Sequence, residues 1–577
     1  MADRLTVYDE GGSSVLLTPN DHLATGGEGA VYAKAGRVYK VYLDPAKALR
    51  AGMDRKVAEL AKLRHPGIAA PTGLLRDKKG EFLGLALPLV AGEALCRAFT
   101  NGWRDQNQFG ASETGQTVQR MREVTLFAHQ HRALMVDANE MNWLLNGTQP
   151  VAIDVDSWQL PGFPATAIMQ SVRDFSQNSF SEGSDWFAWA VVTFTLWTGI
   201  HPYKGTHPDF PRGALEPRMR AMASVFDPRV RLPGAARPVS EIPPALRAWY
   251  EQVFQSTERT PPPSPQAGAV GAQTAPRLRV TQTLSGTLKL ERLGNAGGRV
   301  LAAFNGFVLA KQAGAVQLWD AVAKAAVPKA AQEDLSALLR QEAAVLRTGF
   351  GRIMVRLDRA AGLVRATDLD SGETASLACR GERLWQSAGR VFAVVPGVSN
   401  GLLELDVSKL GARIVVSVRH QWPVAALSTQ LLRGVFVQDC LGAPFVGALE
   451  GEGLLQAPAP QLRGYRIVEG FGASAQNIWL TGMRKADGQT VRLQLAFTAG
   501  SFSVVDEQVV DSLTLDVAAN AAGVCVLRDG ADLLVAKGSA QKRLASSGLS
   551  EELRLFSLGA AGIGGFEDSE VVRISLA

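Results

Sequence analysis

The chain has 577 residues, 46 % of them hydrophobic, enough to bury more than one core. A formal net charge of +5 over this length, with no Lys/Arg run interleaved with aromatics, argues against a nucleic-acid partner, and the longest apolar run, 186–200, falls short of the roughly 20 residues of a membrane span. The N-terminal MADRLTVYDE has no apolar signal region, and Cys96, Cys379, Cys440 and Cys525 are scattered without a CxxC, a pattern expected of a reducing cytoplasm.

Residues 24–32 (ATGGEGAVY) read as a tight glycine turn entering a β-strand, and 37–42 (RVYKVY) as the returning strand with Lys40 near its middle. Glycines let backbone N–H groups approach phosphate oxygens, and a lysine on the next strand supplies a point charge for them. A Gly-rich hairpin with a surface lysine has the same local sequence. Further on, His129 and His131 are two apart, so on a helix they face different ways and do not form a metal pair.

Residues 136–142 (VDANEMN) place Asp137 and Asn142 five apart, and Asp154 (VAIDVDSW) ends a short apolar run twelve residues later. Three oxygen-bearing side chains in this order suit phosphoryl transfer, which needs a carboxylate for the attacking hydroxyl and hard oxygen ligands for Mg²⁺. Residues 186–198 are apolar nearly all round, as a core helix is.

In this order, residues 20–260 resemble the eukaryotic-type protein kinases. The GGEG loop and the IDVDS segment are similar to a bacterial group of that superfamily, often associated with tellurite-resistance-type von Willebrand and phosphatase partners. The resemblance implies a two-lobed α+β fold with ATP between a small sheet lobe and a helical lobe. It implies that Gly26, Gly27 and Gly29 cover the phosphates, that Val31 lies beside the nucleotide, and that Lys40 holds the α- and β-phosphates. Asp137 would be the catalytic carboxylate, while Asn142 and Asp154 would hold Mg²⁺. Residues 85–90 (LALPLV) resemble the hinge, with Leu87 and Leu89 against adenine, Asp185 resembles the aspartate that opens the buried helix, and Arg259 the arginine that closes the domain.

The chain departs from that pattern in several places. Met135-Val136 stand where His-Arg is usual, so no arginine reads a phosphorylated activation loop, and activation by loop phosphorylation is not expected. Asn139 replaces the usual lysine, and Asp154-Val155-Asp156 replaces DFG. The position of the glutamate that should pair with Lys40 falls on Lys56, with Glu59 the nearest substitute on the same helix face. No Ala-Pro-Glu follows Asp154, and Asp174 is read either as the partner of Arg259 or as a solvated loop carboxylate.

Residues 261–276 (PPPSPQAGAVGAQTAP) read as a semi-extended linker, dividing the chain into a kinase-like domain at 1–260, a linker at 261–278 and an all-β domain at 279–577. Few contacts are expected to cross it. Beyond it, β-rich runs recur near Val308, Ile353, Val391, Val435, Ile478 and Val524, mostly about 43–46 residues apart. This period suggests a six- or seven-bladed β-propeller, with a β-sandwich pair or an irregular barrel as alternatives. Leu335, Leu338, Leu339, Val345 and Leu346 suggest one inserted helix.

The functional expectation is an ATP- and Mg²⁺-dependent protein kinase acting on Ser/Thr, its β domain docking a protein substrate or regulator. A nucleotide-binding pseudokinase scaffold and a small-molecule phosphotransferase are the alternatives.

Overall fold

A computed structural model describes residues 4–165, 168–264, 288–398, 401–411, 413–530, 532–537, 540–544, 549–550 and 552–576. Most of the linker expected at 261–278 therefore lies outside the described residues. The first sheet has seven strands: β1 (Leu5–Tyr8), β2 (Ser14–Leu17), β3 (His22–Thr25), β4 (Gly29–Lys34), β5 (Arg37–Tyr42), β6 (Gly73–Arg76) and β7 (Phe82–Pro88), in the order β2-β1-β6-β7-β5-β4-β3. β4 and β5 form a hairpin in which Lys34 faces Arg37, closed by Ala35 and Gly36 at φ 49° and 75°. Two successive left-handed residues are what a two-residue hairpin turn requires.

Seven α-helices are found among the described residues: α1 (Pro45–Arg50), α2 (Met53–Leu60), α3 (Asn101–Gln106), α4 (Ala111–Gln130), α5 (Glu182–Thr198), α6 (Leu215–Arg220) and α7 (Pro244–Gln255). None is long and apolar enough to cross a membrane. α5 is the core helix expected at 186–198. It starts where the Ser181 hydroxyl accepts the Ser184 amide, stops at left-handed Gly199, and buries Trp186, Trp189 and Trp197. A cap at one end and a glycine at the other satisfy the backbone groups that helix termini leave open.

Seven four-stranded antiparallel sheets follow. Six are built from consecutive strands, within 299–326, 343–378, 383–422, 429–458, 465–509 and 517–544; the seventh joins Leu288–Asn295 to the last three strands, with Leu288 opposite Leu576. The recurring runs near Val308, Ile353, Val391, Val435, Ile478 and Val524 fall at the second strands of those six sheets.

The fold class is corrected accordingly. The expected class, a two-lobed α+β kinase-like domain followed by a six- or seven-bladed β-propeller, gives way to a chain that is mostly β-sheet, with 38 strands against seven α-helices among the described residues and many small four-stranded antiparallel sheets. Four of the helices are only six to eight residues long, too short to organise a core by themselves. The helix expected around Leu335–Leu346 is likewise a 3₁₀ turn, Leu335–Leu338, followed by the strand Ala343–Thr348. Left-handed Gln341 separates the two, and pairing of the strand with Gly351–Asp358 overrides the helical spacing of its leucines.

The halves are not independent either. Val468, Met483 and Leu513 belong to the same hydrophobic cluster as Trp186, Phe194 and Tyr250 of α5 and α7. Polar contacts join them as well: Lys204 Nζ donates to the Val510 carbonyl at 3.2 Å, Gln489 Nε2 to the Gly213 carbonyl at 2.8 Å, and the Asn101 amide to Thr514 Oγ1 at 3.1 Å. The few contacts expected across the linker are instead a continuous apolar and polar interface.

Candidate active site

Lys40 lies in the middle of β5, opposite Val31 on β4 and Leu85 on β7, and is buried. A buried ammonium needs anionic partners. It has two, since Lys40 Nζ stands 2.6 Å from Asp154 Oδ1 and 2.7 Å from Asp156 Oδ2. Burial alone would lower the lysine pKa, but Asp156 and then Asp154 raise it above its ordinary value. Both carboxylates come from one tight segment, because Asp154 takes a left-handed φ of 58° and Val155–Ser157 form a 3₁₀ turn.

Asp156 is the more enclosed of the two. Tyr42, two residues after Lys40 and so on the same face of β5, donates its hydroxyl to Asp156 Oδ2 at 2.6 Å, and Lys56 Nζ donates to the Asp156 carbonyl at 2.6 Å. Burial would raise the Asp156 pKa, but Lys40 and Tyr42 hold it below its ordinary value. The partner that sequence spacing assigned to Lys40 is thereby corrected. Glu59 pairs instead with Lys62 at 2.6 Å on the exposed side of α2, and Lys56 faces inward as a cation. Sequence reading missed Asp156, although its separation by one residue from Asp154 was the available signal.

Asn142 is joined to this segment by backbone: the Ile153 amide donates to the Asn142 carbonyl at 2.9 Å, which sets Asn142 beside Asp154. Its side-chain amide donates to the Asp137 carbonyl at 2.8 Å, closing the loop between them. Asp137 Oδ1 accepts the Met169 amide at 2.8 Å. Burial raises the Asp137 pKa above the ordinary carboxylate value, with the Met169 amide opposing the shift.

The loop before Asp137 is held from α5. Asp185 accepts the Met135 and Val136 amides at 2.8 and 2.9 Å, and His129 Nε2 lies 3.0 Å from Asp185 Oδ2. Val136 is left-handed at φ 57°, a conformation that costs a β-branched residue about 1–3 kcal/mol and persists where surroundings over-determine it. Arg259 meets Asp174 at two points, 2.6 and 3.0 Å, in a buried pair. Burial would raise the Asp174 pKa, but the guanidinium and Ser176 bring it below the ordinary value. Of the two readings of Asp174, the ion pair is the one observed.

The glycines divide into two kinds. A Cβ on Gly29 would stand 2.8 Å from the Val41 carbonyl, so β5 itself excludes a side chain there, whereas Gly27 has open space around it and Gly26 ordinary clearance. The Gly26 amide donates to the Gly29 carbonyl at 2.9 Å, closing the turn. Leu87 is buried next to the β5 edge opposite Val38, whereas Leu89 lies beyond the strand and is 48 % exposed.

Asn142 and Asp154 are two oxygen donors, and no cluster of three His, Cys, Asp or Glu suited to a metal occurs among the described residues. This donor set fits Mg²⁺, which keeps several waters and takes substrate phosphate oxygens beside one or two protein ligands.

No family model matches the chain, and no curated protein matches it. Among solved structures it is similar to a twitchin kinase fragment of C. elegans, an autoregulated protein kinase with immunoglobulin domains. The identity is 14 % and the TM-score 0.29, over 36 % of this chain and 48 % of that one. The match thus spans about half of the fragment's length.

Proposed function

We propose that this chain is a protein kinase that transfers the γ-phosphate of Mg-ATP to a serine or threonine hydroxyl of a protein. The observation that carries this reading is the convergence on one spot of Lys40, Asp154 and, through the Ile153–Asn142 backbone pair, Asn142, with Asp137 five residues before Asn142 on the same loop.

Lys40 would bind the nonbridging phosphate oxygens, with Asp156 keeping its ammonium charged and aimed. Asn142 and Asp154 would hold Mg²⁺, which would supply charge neutralisation on the transferring group. Asp137 would accept a hydrogen bond from the attacking hydroxyl and take its proton, and its raised pKa suits a general base. The C-terminal sheets would dock the protein substrate or a regulator, raising its local concentration.

A nucleotide-responsive scaffold without transfer is the second reading, favoured by the direct 2.6 Å Lys40–Asp154 pair, which nucleotide would have to open. Incubation with γ-labelled ATP and Mg²⁺, beside an Asp137→Ala control, separates the two. Protein label that depends on Asp137 is expected, and label equal in both samples would overturn the kinase reading.

A further inference from the structure

The segment next to Asp137 is held in place by the C-terminal half. Strands Asn477–Arg484 and Thr490–Thr498 are joined by a turn closed by the Gly488 amide on the Arg484 carbonyl and the Arg484 amide on the Gln489 carbonyl, both 2.8 Å. An Arg484–Asp487 ion pair at 2.7 Å spans the same turn. Gly488, left-handed at φ 70°, lies directly on residues 169–171: a Cβ there would stand 2.5 Å from Ser171 Oγ and 3.1 Å from Met169 Cγ. From the other side His201 Nε2 holds the Ser171 carbonyl at 2.8 Å. Ser171 is therefore gripped between α5's end and the turn, and two residues earlier the Met169 amide occupies one oxygen of Asp137.

The contact is anchored beside the turn as well. The Gly205 amide donates to Asp511 Oδ1 at 3.3 Å, and Lys204 and Gln489 add the bonds described above. A cavity of about 30 Å³ lies between Glu140, Ser171, Lys204, Gly488 and Asp511. Ser171 lines that space, so residues 169–171 have room to be displaced into it.

We propose that the turn at Gly488 is a built-in restraint on phosphoryl transfer: it holds residues 169–171 so that the Met169 amide competes with the acceptor hydroxyl for Asp137. This rests on the kinase reading of Asp137. Loosening the turn frees the carboxylate without touching Lys40, Asn142 or Asp154.

The test uses the full chain with Gly488→Ala, whose added methyl collides with Ser171, and separately Asp511→Ala, which removes an anchor without adding bulk. Three readouts are taken: label transfer to protein, the KM for ATP, and amide exchange of residues 168–173. Transfer at least about fivefold faster than wild type is expected, the lower end of coupling between linked sites, with the KM for ATP within about twofold and faster exchange at 168–173. If Gly488→Ala does not fold, Asp511→Ala decides by the same readouts. Wild-type transfer above the Asp137→Ala background, with variants no faster although exchange rises, overturns the restraint and leaves the kinase reading standing. Wild type and variants all at background overturn the kinase reading, and the restraint with it.

Discussion

Lys40 and Asp156 meet at 2.7 Å inside the N-terminal sheet, 116 residues apart in sequence. The lysine's counter-charge thus comes from the segment that also carries Asp154, while α2 contributes a cation, Lys56, bound to that segment's backbone. Among the described residues Asp156 Oδ1 has no hydrogen-bond partner, and it is shielded from solvent.

Asp156→Ala is expected to lose stability and nucleotide binding together. Removing one member of a buried pair typically costs about 3–5 kcal/mol, though Asp154 remains to compensate part of the Lys40 charge. Glu59→Ala, breaking only the exposed pair with Lys62, should change stability by no more than about 0.5 kcal/mol. Denaturant unfolding and ATP titration of both variants check this, and equal effects would contradict the assignment of Asp156.

Asp154→Ala should abolish Asp137-dependent labelling and leave the fold intact, since its side chain is 38 % exposed and not part of an apolar cluster. On the kinase reading, losing this Mg²⁺ ligand would remove charge neutralisation on the transferring phosphate. Wild-type labelling by this variant, with an unchanged melting curve, would remove Asp154 from the site.

The Asp174–Arg259 pair makes a pH prediction. The folded-state pKa of Asp174 is depressed, so its contribution is fully present above the unfolded carboxylate pKa and is lost as pH falls through the lower folded value. Melting temperatures from neutral pH into the acid range should therefore fall less steeply on the acid side for Asp174→Asn than for wild type, from a lower plateau at neutral pH. Parallel curves would mean that the pair does not stabilise the fold.

Serines in the segment after Asp154 should differ by their structural work, not by phosphorylation. Ser181 caps α5 and Ser176 bonds Asp174 Oδ1 at 2.6 Å, whereas Ser179 is exposed. Ser181→Ala should cost about 1 kcal/mol, and Ser179→Ala close to nothing. Activity should persist in Ser179→Ala, because Val136 stands where a phosphate-reading arginine would. Loss of transfer in that variant, restored by Ser179→Glu, would show that another basic residue reads a phosphate there.

A fragment ending at residue 264 should be less stable than the whole chain and prone to associate. It would uncover the apolar surface that Val468, Met483 and Leu513 now close, and exposed patches of that kind drive aggregation. A fragment as thermostable and monodisperse as the full chain would mean that this interface contributes nothing to the N-terminal fold.

What the sequence alone determined is local. The glycine turn and its returning strand, the Asp137–Asn142 loop, the buried helix opened by Asp185 and the recurring second strands of the C-terminal sheets are all legible, because each depends on a period or spacing within a few residues. Tertiary structure decided the rest. Spacing in the sequence offered Glu59 as the partner of Lys40, and only the three-dimensional course of residues 154–157 selects Asp156 instead. Asp174 finds Arg259 across 85 residues, a choice that neither residue's neighbours encode. The predominance of β-sheet over the expected class, and the packing of the C-terminal turn on Ser171, depend on which surfaces bury one another. Burial is a property of the whole chain's packing, so no local pattern carries it.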